Sequence, residues 1–374
     1  MINPYDFIDL LLQKGIDFFS GVPDSHLQSF NNAIINRFKF DSSKHIVAVN
    51  EGNAVALAAG YHLATGKYPC IYLQNSGIGN MINPLASLLN DKVYAIPAVF
   101  IIGWRGEPGV KDEPQHIFQG QITLQLLECV DVKTFVVDNF CTIKDIENIL
   151  DDNIYLLNKG KQIAFIIKKN IFDKIIIDFQ NDFSLIREKV IEMMVNKAKD
   201  DIIISTTGKI SRELFEIREK YGMDHNKDFL TVGSMGHSSS IALSIALNKR
   251  DKIIWCIDGD GAALMHLGSI ALIGNKKPNN FIHILINNAS HESVGGVPTI
   301  CSDLELYKLA KDSGYKETYL VNTYDELYDI LDNIKNISLP AFIEIKVSMY
   351  SKEDLGRPTI SSIENKNNFM KYIK

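Results

Sequence analysis

The chain has 374 residues, which at roughly 100–200 residues per domain sets a prior of two domains, three at most. Hydrophobic residues make up 46% and charged residues 22%, enough apolar material for full cores and against a disordered chain. The formal net charge is −6 with no long basic run, which argues against a nucleic-acid partner but not against a small anionic ligand.

The five cysteines, Cys70, Cys129, Cys141, Cys256 and Cys301, contain no C-x-x-C pair, so neither a zinc site nor a disulfide framework is suggested. The start, Met1-Ile2-Asn3-Pro4-Tyr5-Asp6, lacks the basic-then-apolar order of a signal peptide. No apolar run reaches the ~18–20 residues of a membrane span. A cytoplasmic protein without membrane contact is the expectation.

Taken in chain order, β-rich apolar runs alternate with longer amphipathic ones, the pattern of an α/β protein with parallel sheets. A helix is expected at Pro4–Lys14, then strands at Asp17–Ser20 and His45–Val49. A helix from Glu51 to Thr65 follows, then a strand at Cys70–Gln74, a helix at Asn80–Leu89, and strands at Ala98–Ile102 and Ala164–Ile167. Asp173–Asp182 turns from apolar to polar and acidic and reads as the linker. A helix at Leu185–Ala198 opens a second set, with strands at Ile202–Thr206, Ile253–Ile257, Phe281–Ile286 and Ala341–Lys346. Glu364–Lys374 reads as a tail or a closing helix. The expected domains are 1–175 and 185–374, similar in kind, with no strong internal repeat in the residues themselves.

The chemistry concentrates where strands end. Lys252–Ile257 is a continuous apolar run, as a strand buried on both faces requires, and it leads into Asp258-Gly259-Asp260-Gly261. A helix over Ala262–Gly274 and a second buried strand ending at Asn287-Asn288 complete one βαβ unit. A right-handed crossover makes these strands parallel, so Asp260 and Asn288, 28 positions apart, meet at one sheet edge where open α/β sheets bind ligands. Glycines beside Asp260 admit close backbone approach, and free N–H groups at the helix start suit phosphate. A carboxylate, an amide oxygen and a backbone carbonyl are hard ligands for Mg²⁺ or Ca²⁺. The bland alternative is a tight strand–helix turn followed by an Asn-rich strand end.

Gly-Asp-Gly followed one βαβ unit later by Asn-Asn resembles the cofactor motif of the thiamine-diphosphate-dependent 2-keto acid decarboxylases. The resemblance implies two thiamine-diphosphate-binding-fold domains, each a mainly parallel sheet flanked by helices: a pyrimidine-binding half first, a diphosphate-binding half second. It implies metal ligation by Asp260, Asn288 and the carbonyl of Ser290. Gly259, Gly261 and Ala262 lie at the diphosphate, with Thr207 and Gly208 after the first strand of the second half as further contacts. In Val232-Gly233-Ser234-Met235-Gly236, Gly233 and Met235 match a turn whose apolar residue props the bent cofactor, a role that suits an adaptable Met side chain. Val49-Asn50-Glu51-Gly52-Asn53 and the Ala-rich run after it resemble the segment whose Glu bonds the aminopyrimidine nitrogen, which makes Glu51 the proton-relaying group. A desolvated carboxyl with a raised pKa suits that task. Glu51 is otherwise an ordinary first-turn helix residue.

Further segments resemble those of the phosphonopyruvate-cleaving branch of this family: Gly103–His116, Asn287–Gly296, Thr207–Phe215 and Leu355-Gly356-Arg357-Pro358. The resemblance implies decarboxylation of 3-phosphonopyruvate to phosphonoacetaldehyde in 2-aminoethylphosphonate formation. Sulfopyruvate or another short 2-keto acid is the alternative substrate. His116 is the expected proton shuttle. Asp24, Ser25, Arg105 and His291 are the expected substrate side, with Arg105 as a bidentate fork for the anion. A homodimer or larger homo-oligomer, with sites between subunits, is implied in the same way. Other classes lack support: neither G-x-x-x-x-G-K-[ST] nor G-x-G-x-x-G follows a strand, and there is no G-x-S-x-G elbow. A non-catalytic subunit would be expected to have lost Glu51 or Asp260.

Overall fold

A computed structural model describes residues 1–39, 41–352 and 354–374. The chain divides into two compact units, Met1–Asp178 and Phe179–Lys374, and the division falls inside the stretch expected as a linker.

The first unit holds six strands: β1 (Ile16–Gly21), β2 (His45–Val47), β3 (Tyr68–Gln74), β4 (Ala98–Gly103), β5 (Lys133–Val137) and β6 (Gln162–Ile167). They pair in parallel in the order β2-β1-β3-β4-β6-β5. Alternate residues of the central strands feed two cores. Tyr72, Val99, Ile101 and Phe165 belong to one, Ile71, Leu73, Phe100 and Ile166 to the other. Burial on both faces explains why these strands read as unbroken apolar runs.

The second unit holds β7 (Ile202–Ser205), β8 (Asp228–Leu230), β9 (Ile254–Gly259), β10 (Phe281–Asn287), the two-residue strands β11 (Ser290–His291) and β12 (Val297–Pro298), β13 (Glu317–Val321) and β14 (Ala341–Lys346). Six of them form a second parallel sheet, β13-β14-β10-β9-β7-β8. Counted among the six strands of each parallel sheet and read from the matching edge, both sheets have the order 2-1-3-4-6-5. The duplication lies in topology, which is why the residues show no repeat.

Several elements differ from expectation. The helix expected at Asn80–Leu89 begins earlier, at Ile78, and from Pro84 onward gives way to a wider turn over Leu85–Leu89, because proline cannot donate to the helical ladder. The helix expected over Ala262–Gly274 is two, Asp260–Met265 and Gly268–Lys276. Helices at Gln28–Phe38, Pro114–Cys129 and Ile143–Asn158 and strands β5, β8 and β13 went unread. The strands are short or only part-buried, so neither an apolar run nor strict alternation marks them. The chain end forms a helix, Ser362–Tyr372.

Candidate active site

In both units the residues singled out lie past the carboxyl ends of parallel strands, where peptide N–H groups and helix starts are free for ligands. In the first unit, Asn50 caps the helix Glu51–Thr65 by accepting from the Gly52 N–H at 2.7 Å. Glu51 is thereby fixed as the first helical residue, at 5% exposure. Asn80 Nδ2 donates to its Oε2 at 2.7 Å. Gly77 lies so close that a Cβ there would sit 2.3 Å from Oε1, so only glycine leaves room for this carboxyl. Burial raises the pKa of Glu51 and outweighs the Asn80 bond, which favours the protonated acid.

A second group in this unit joins the loops after β1 and β4. Arg105 Nε donates to Asp112 Oδ2 at 2.8 Å, and Nη2 bonds the other carboxylate oxygen. Arg105 Nη1 donates to Ser25 Oγ at 3.1 Å. The fork expected for an anion is therefore engaged by Asp112, and one edge reaches Ser25. Asp24 is fully buried, with Oδ1 lacking any hydrogen-bond partner. Burial lifts its pKa to about 6 against the pull of Arg105 and the backbone N–H groups of residues 25–27. Two imidazoles share this environment. Burial and the Arg105 charge lower His26 to about 4 and also lower His116, so both stay neutral near pH 7. His26 and Asp112 were not expected from the sequence, although Asp112 lies within Gly103–His116 and His26 directly follows Asp24 and Ser25.

In the second unit, β9 and β10 are in register with Ile286 opposite Gly259, which brings Asp260 and Asn288 to the same edge. Gly261 and Ala262 lie buried in the helix that Asp260 begins. A methyl group on Gly261 would sit 3.2 Å from the His291 ring and 3.4 Å from Met235 Cε, so these three residues enclose a narrow space. Thr207 Oγ1 donates to the Val232 carbonyl at 2.8 Å, tying the loop after β7, which contains Gly208, to the loop that carries Gly233 and Met235. His291 keeps partial solvent access, yet burial of its ring lowers it to about 4.

Asp260 is 4% exposed, and among the described residues no cation pairs with it. Its carboxyl accepts from Thr299 Oγ1 at 2.6 Å and from backbone N–H groups including that of Ser290. The same Ser290 N–H reaches Asn288 Oδ1 at 3.1 Å, so the two side-chain oxygens converge on one point. Burial still prevails and lifts Asp260 to about 6. A buried carboxylate without a counter-charge, next to an amide oxygen and the unpartnered Ser290 Oγ, fits a hard divalent cation, whose charge would offset that burial. Thr299 arrives because Gly295 and Gly296, at φ 112° and 80°, turn the chain back and pair β12 antiparallel with β11. The Gly-Gly-Val-Pro-Thr run after the Asn pair was the available signal.

A separate buried set, Cys256, Asp258 and His283, has ligand atoms within 4.8 Å of one another. His283 Nδ1 bonds the Tyr315 hydroxyl at 2.9 Å, and the set shares no residue with Asp260 and Asn288.

The N-terminal TPP binding domain of thiamine pyrophosphate enzymes matches residues 6–127, and the C-terminal TPP binding domain matches residues 207–345. Together with two parallel sheets, that pair defines a thiamine pyrophosphate enzyme. The chain is 30% identical to phosphonopyruvate decarboxylase of Streptomyces viridochromogenes over all of this chain and 95% of that protein. It is 30% identical to the protein of that name from Streptomyces hygroscopicus over all of this chain and 94% of that one. Sulfopyruvate decarboxylase of Methanosarcina acetivorans is 26% identical over 92% of this chain and 91% of its own length. The chain belongs to the phosphonopyruvate decarboxylase family of thiamine-diphosphate-dependent decarboxylases.

Proposed function

We propose that this enzyme decarboxylates 3-phosphonopyruvate to phosphonoacetaldehyde and CO₂, with thiamine diphosphate and Mg²⁺, as a step of phosphonate biosynthesis in the cytoplasm. The observation that carries the substrate is the end-to-end similarity to two phosphonopyruvate decarboxylases, at 30% over all of the chain against 26% over 92% of it for the single-chain sulfopyruvate decarboxylase.

Bound thiamine diphosphate supplies the electron sink for loss of CO₂. Asp260, Asn288 and the Ser290 carbonyl hold the cation that carries its diphosphate, with Gly259, Gly261, Ala262, Thr207 and Gly208 around the phosphates. Gly233 and Met235 would line the cofactor, with the Met235 side chain as the apolar prop for its rings. Glu51, kept protonatable by burial, holds a proton at the pyrimidine nitrogen. His116, neutral and part-buried, moves a proton at the substrate carbon. On the substrate side, the Arg105 edge at Ser25 and the neutral His291 donate to the phosphonate, and Asp24, raised to about 6 by burial, exchanges a proton near neutral pH rather than meeting the anion directly. Asp112 neutralises most of Arg105, so recognition rests on directed hydrogen bonds more than on net charge.

The deciding experiment measures CO₂ release from phosphonopyruvate and from sulfopyruvate, with and without thiamine diphosphate. Faster cofactor-dependent turnover of phosphonopyruvate is expected; faster turnover of sulfopyruvate would reverse the assignment. Asp260→Ala is expected to abolish metal-dependent cofactor binding, and unchanged cofactor affinity would remove the cation assignment. Glu51→Gln is expected to bind cofactor but lose exchange of the cofactor's C2 proton, and normal exchange would remove Glu51 from its role.

A further inference from the structure

Asn288 is held on three sides. Its backbone carbonyl accepts from Asn181 Nδ2 at 2.8 Å. Its side-chain oxygen accepts from the Ser290 N–H at 3.1 Å, and its side-chain nitrogen donates to Glu292 Oε2 at 2.9 Å. The last contact matters most, because an Asn side chain offers an oxygen at one end and an NH₂ at the other. Only the oxygen can ligate a cation. A carboxylate accepts and cannot donate, so Glu292 decides which end of the amide points where.

Glu292 is itself strongly constrained. Arg187 Nη1 bonds Oε2, and Lys209 Nζ donates to Oε1 at 2.7 Å. Arg187 is 3% exposed and forks onto buried Glu213 through Nε and Nη2, each at 2.8 Å. Lys209 is also bonded to Ser351 at 2.7 Å. Burial would push Glu292 up, but the charge of Arg187 and the Lys209 bond prevail and hold it below the usual carboxylate range. The four charges sum to zero, so the cluster offers no surplus to bind an anion. Both Glu292 oxygens are occupied, so it is poorly placed to ligate a cation itself.

We propose that Glu292 is a positioning residue: pinned by Arg187 and Lys209, it holds the Asn288 amide with its oxygen turned to Asp260. The proposal rests on the reading of Asp260 and Asn288 as the cation site. Outer-shell partners of metal ligands typically control affinity by roughly 10–100-fold.

The test uses the full-length protein, with Mn²⁺ affinity read by electron paramagnetic resonance and thiamine-diphosphate affinity by calorimetry. Glu292→Gln can present an NH₂ to Asn288 and lets the amide turn. Glu292→Asp keeps the charge for Arg187 and Lys209 but falls short of Asn288, and serves should the Gln variant fold poorly. Both are expected to weaken Mn²⁺ binding roughly 10–100-fold, with turnover at saturating metal largely retained. N288D/E292Q is expected to recover metal affinity, because a carboxylate has an oxygen at either end. A lowered unfolding midpoint with unchanged Mn²⁺ affinity in both single variants would overturn the proposal, as would failure of the double variant to recover binding. Asp260→Ala separates the two levels. If it binds metal and cofactor like the wild type, the cation site itself is wrong. If it loses them while both Glu292 variants keep them, only the positioning role fails.

Discussion

A carboxyl buried without a counter-charge is costly, and Asp24 illustrates the trade at the scale of one residue. Its pKa is lifted by burial from the ordinary 3.8 to about 6. A carboxyl raised in the folded state contributes its full stability below the unfolded value and loses it as pH rises through the folded one. Wild-type protein should therefore lose roughly 3 kcal/mol between pH 4 and 7 from this group alone, at 1.36 kcal/mol per unit. Asp24→Asn keeps an oxygen for the His26 N–H, which now bonds the carboxylate at 2.9 Å, and removes the titration. Thermal unfolding against pH should show the variant more stable at pH 7–8 and equal to wild type below about pH 4. A variant no more stable at pH 8 would mean that Asp24 is not held near neutrality by burial. Turnover should fall in the same protein, since a site residue is not selected for stability. Asp24 was expected as a site residue from the family resemblance. His26 and Asp112 in the same unit, and Thr299 at Asp260 in the other, were not, because which loops meet depends on strand order and not on spacing.

At the scale of elements, the three-residue strand β8 is the weak edge of its sheet. Arg218 on the helix Lys209–Lys220 grips Asp228 through Nε and Nη2, each at 2.8 Å, with both side chains wholly buried. Asn365 on the last helix then covers the open edge, accepting from the Leu230 N–H at 3.1 Å and donating to the Asp228 carbonyl at 2.9 Å, much as another strand would. Arg218→Met leaves Asp228 buried and unpaired and should cost about 3–5 kcal/mol in chemical denaturation. Replacing both partners by apolar residues of similar volume should recover most of it. A loss below about 1 kcal/mol for the single change would mean that water reaches Asp228. β8 was not readable, because Asp-Phe-Leu is too short for periodicity, and the end was open between a tail and a closing helix because its Asn/Lys composition suits both.

For the whole molecule, the expected site residues divide between the units: Glu51 in the first, Asp260 and Asn288 in the second. The family resemblance assigns both sets to one cofactor held between subunits, and that proposal has a direct test. Glu51→Gln and Asp260→Ala chains are mixed, unfolded together and allowed to reassemble. In a two-fold dimer, half the assemblies are hybrids and each hybrid holds one intact site, so about a quarter of wild-type activity should return. No recovery would place Glu51 and Asp260 of one chain at the same cofactor.

By itself the sequence determined the α/β class, the parallel strands buried on both faces, and the placement of Gly-Asp-Gly and Asn-Asn at strand ends and of Glu51 at a helix start. Those features are local: apolar runs, strand-to-helix turns and residue types at short spacing. Only the tertiary structure decided that both sheets share one strand order, that Arg105 spends its fork on Asp112, and that Thr299 and Glu292 reach back to Asp260 and Asn288. These arise from loop return and cross-strand register, where partners more than 100 positions apart, such as Arg187 and Glu292 at 105, meet because the sheet brings their elements to one edge.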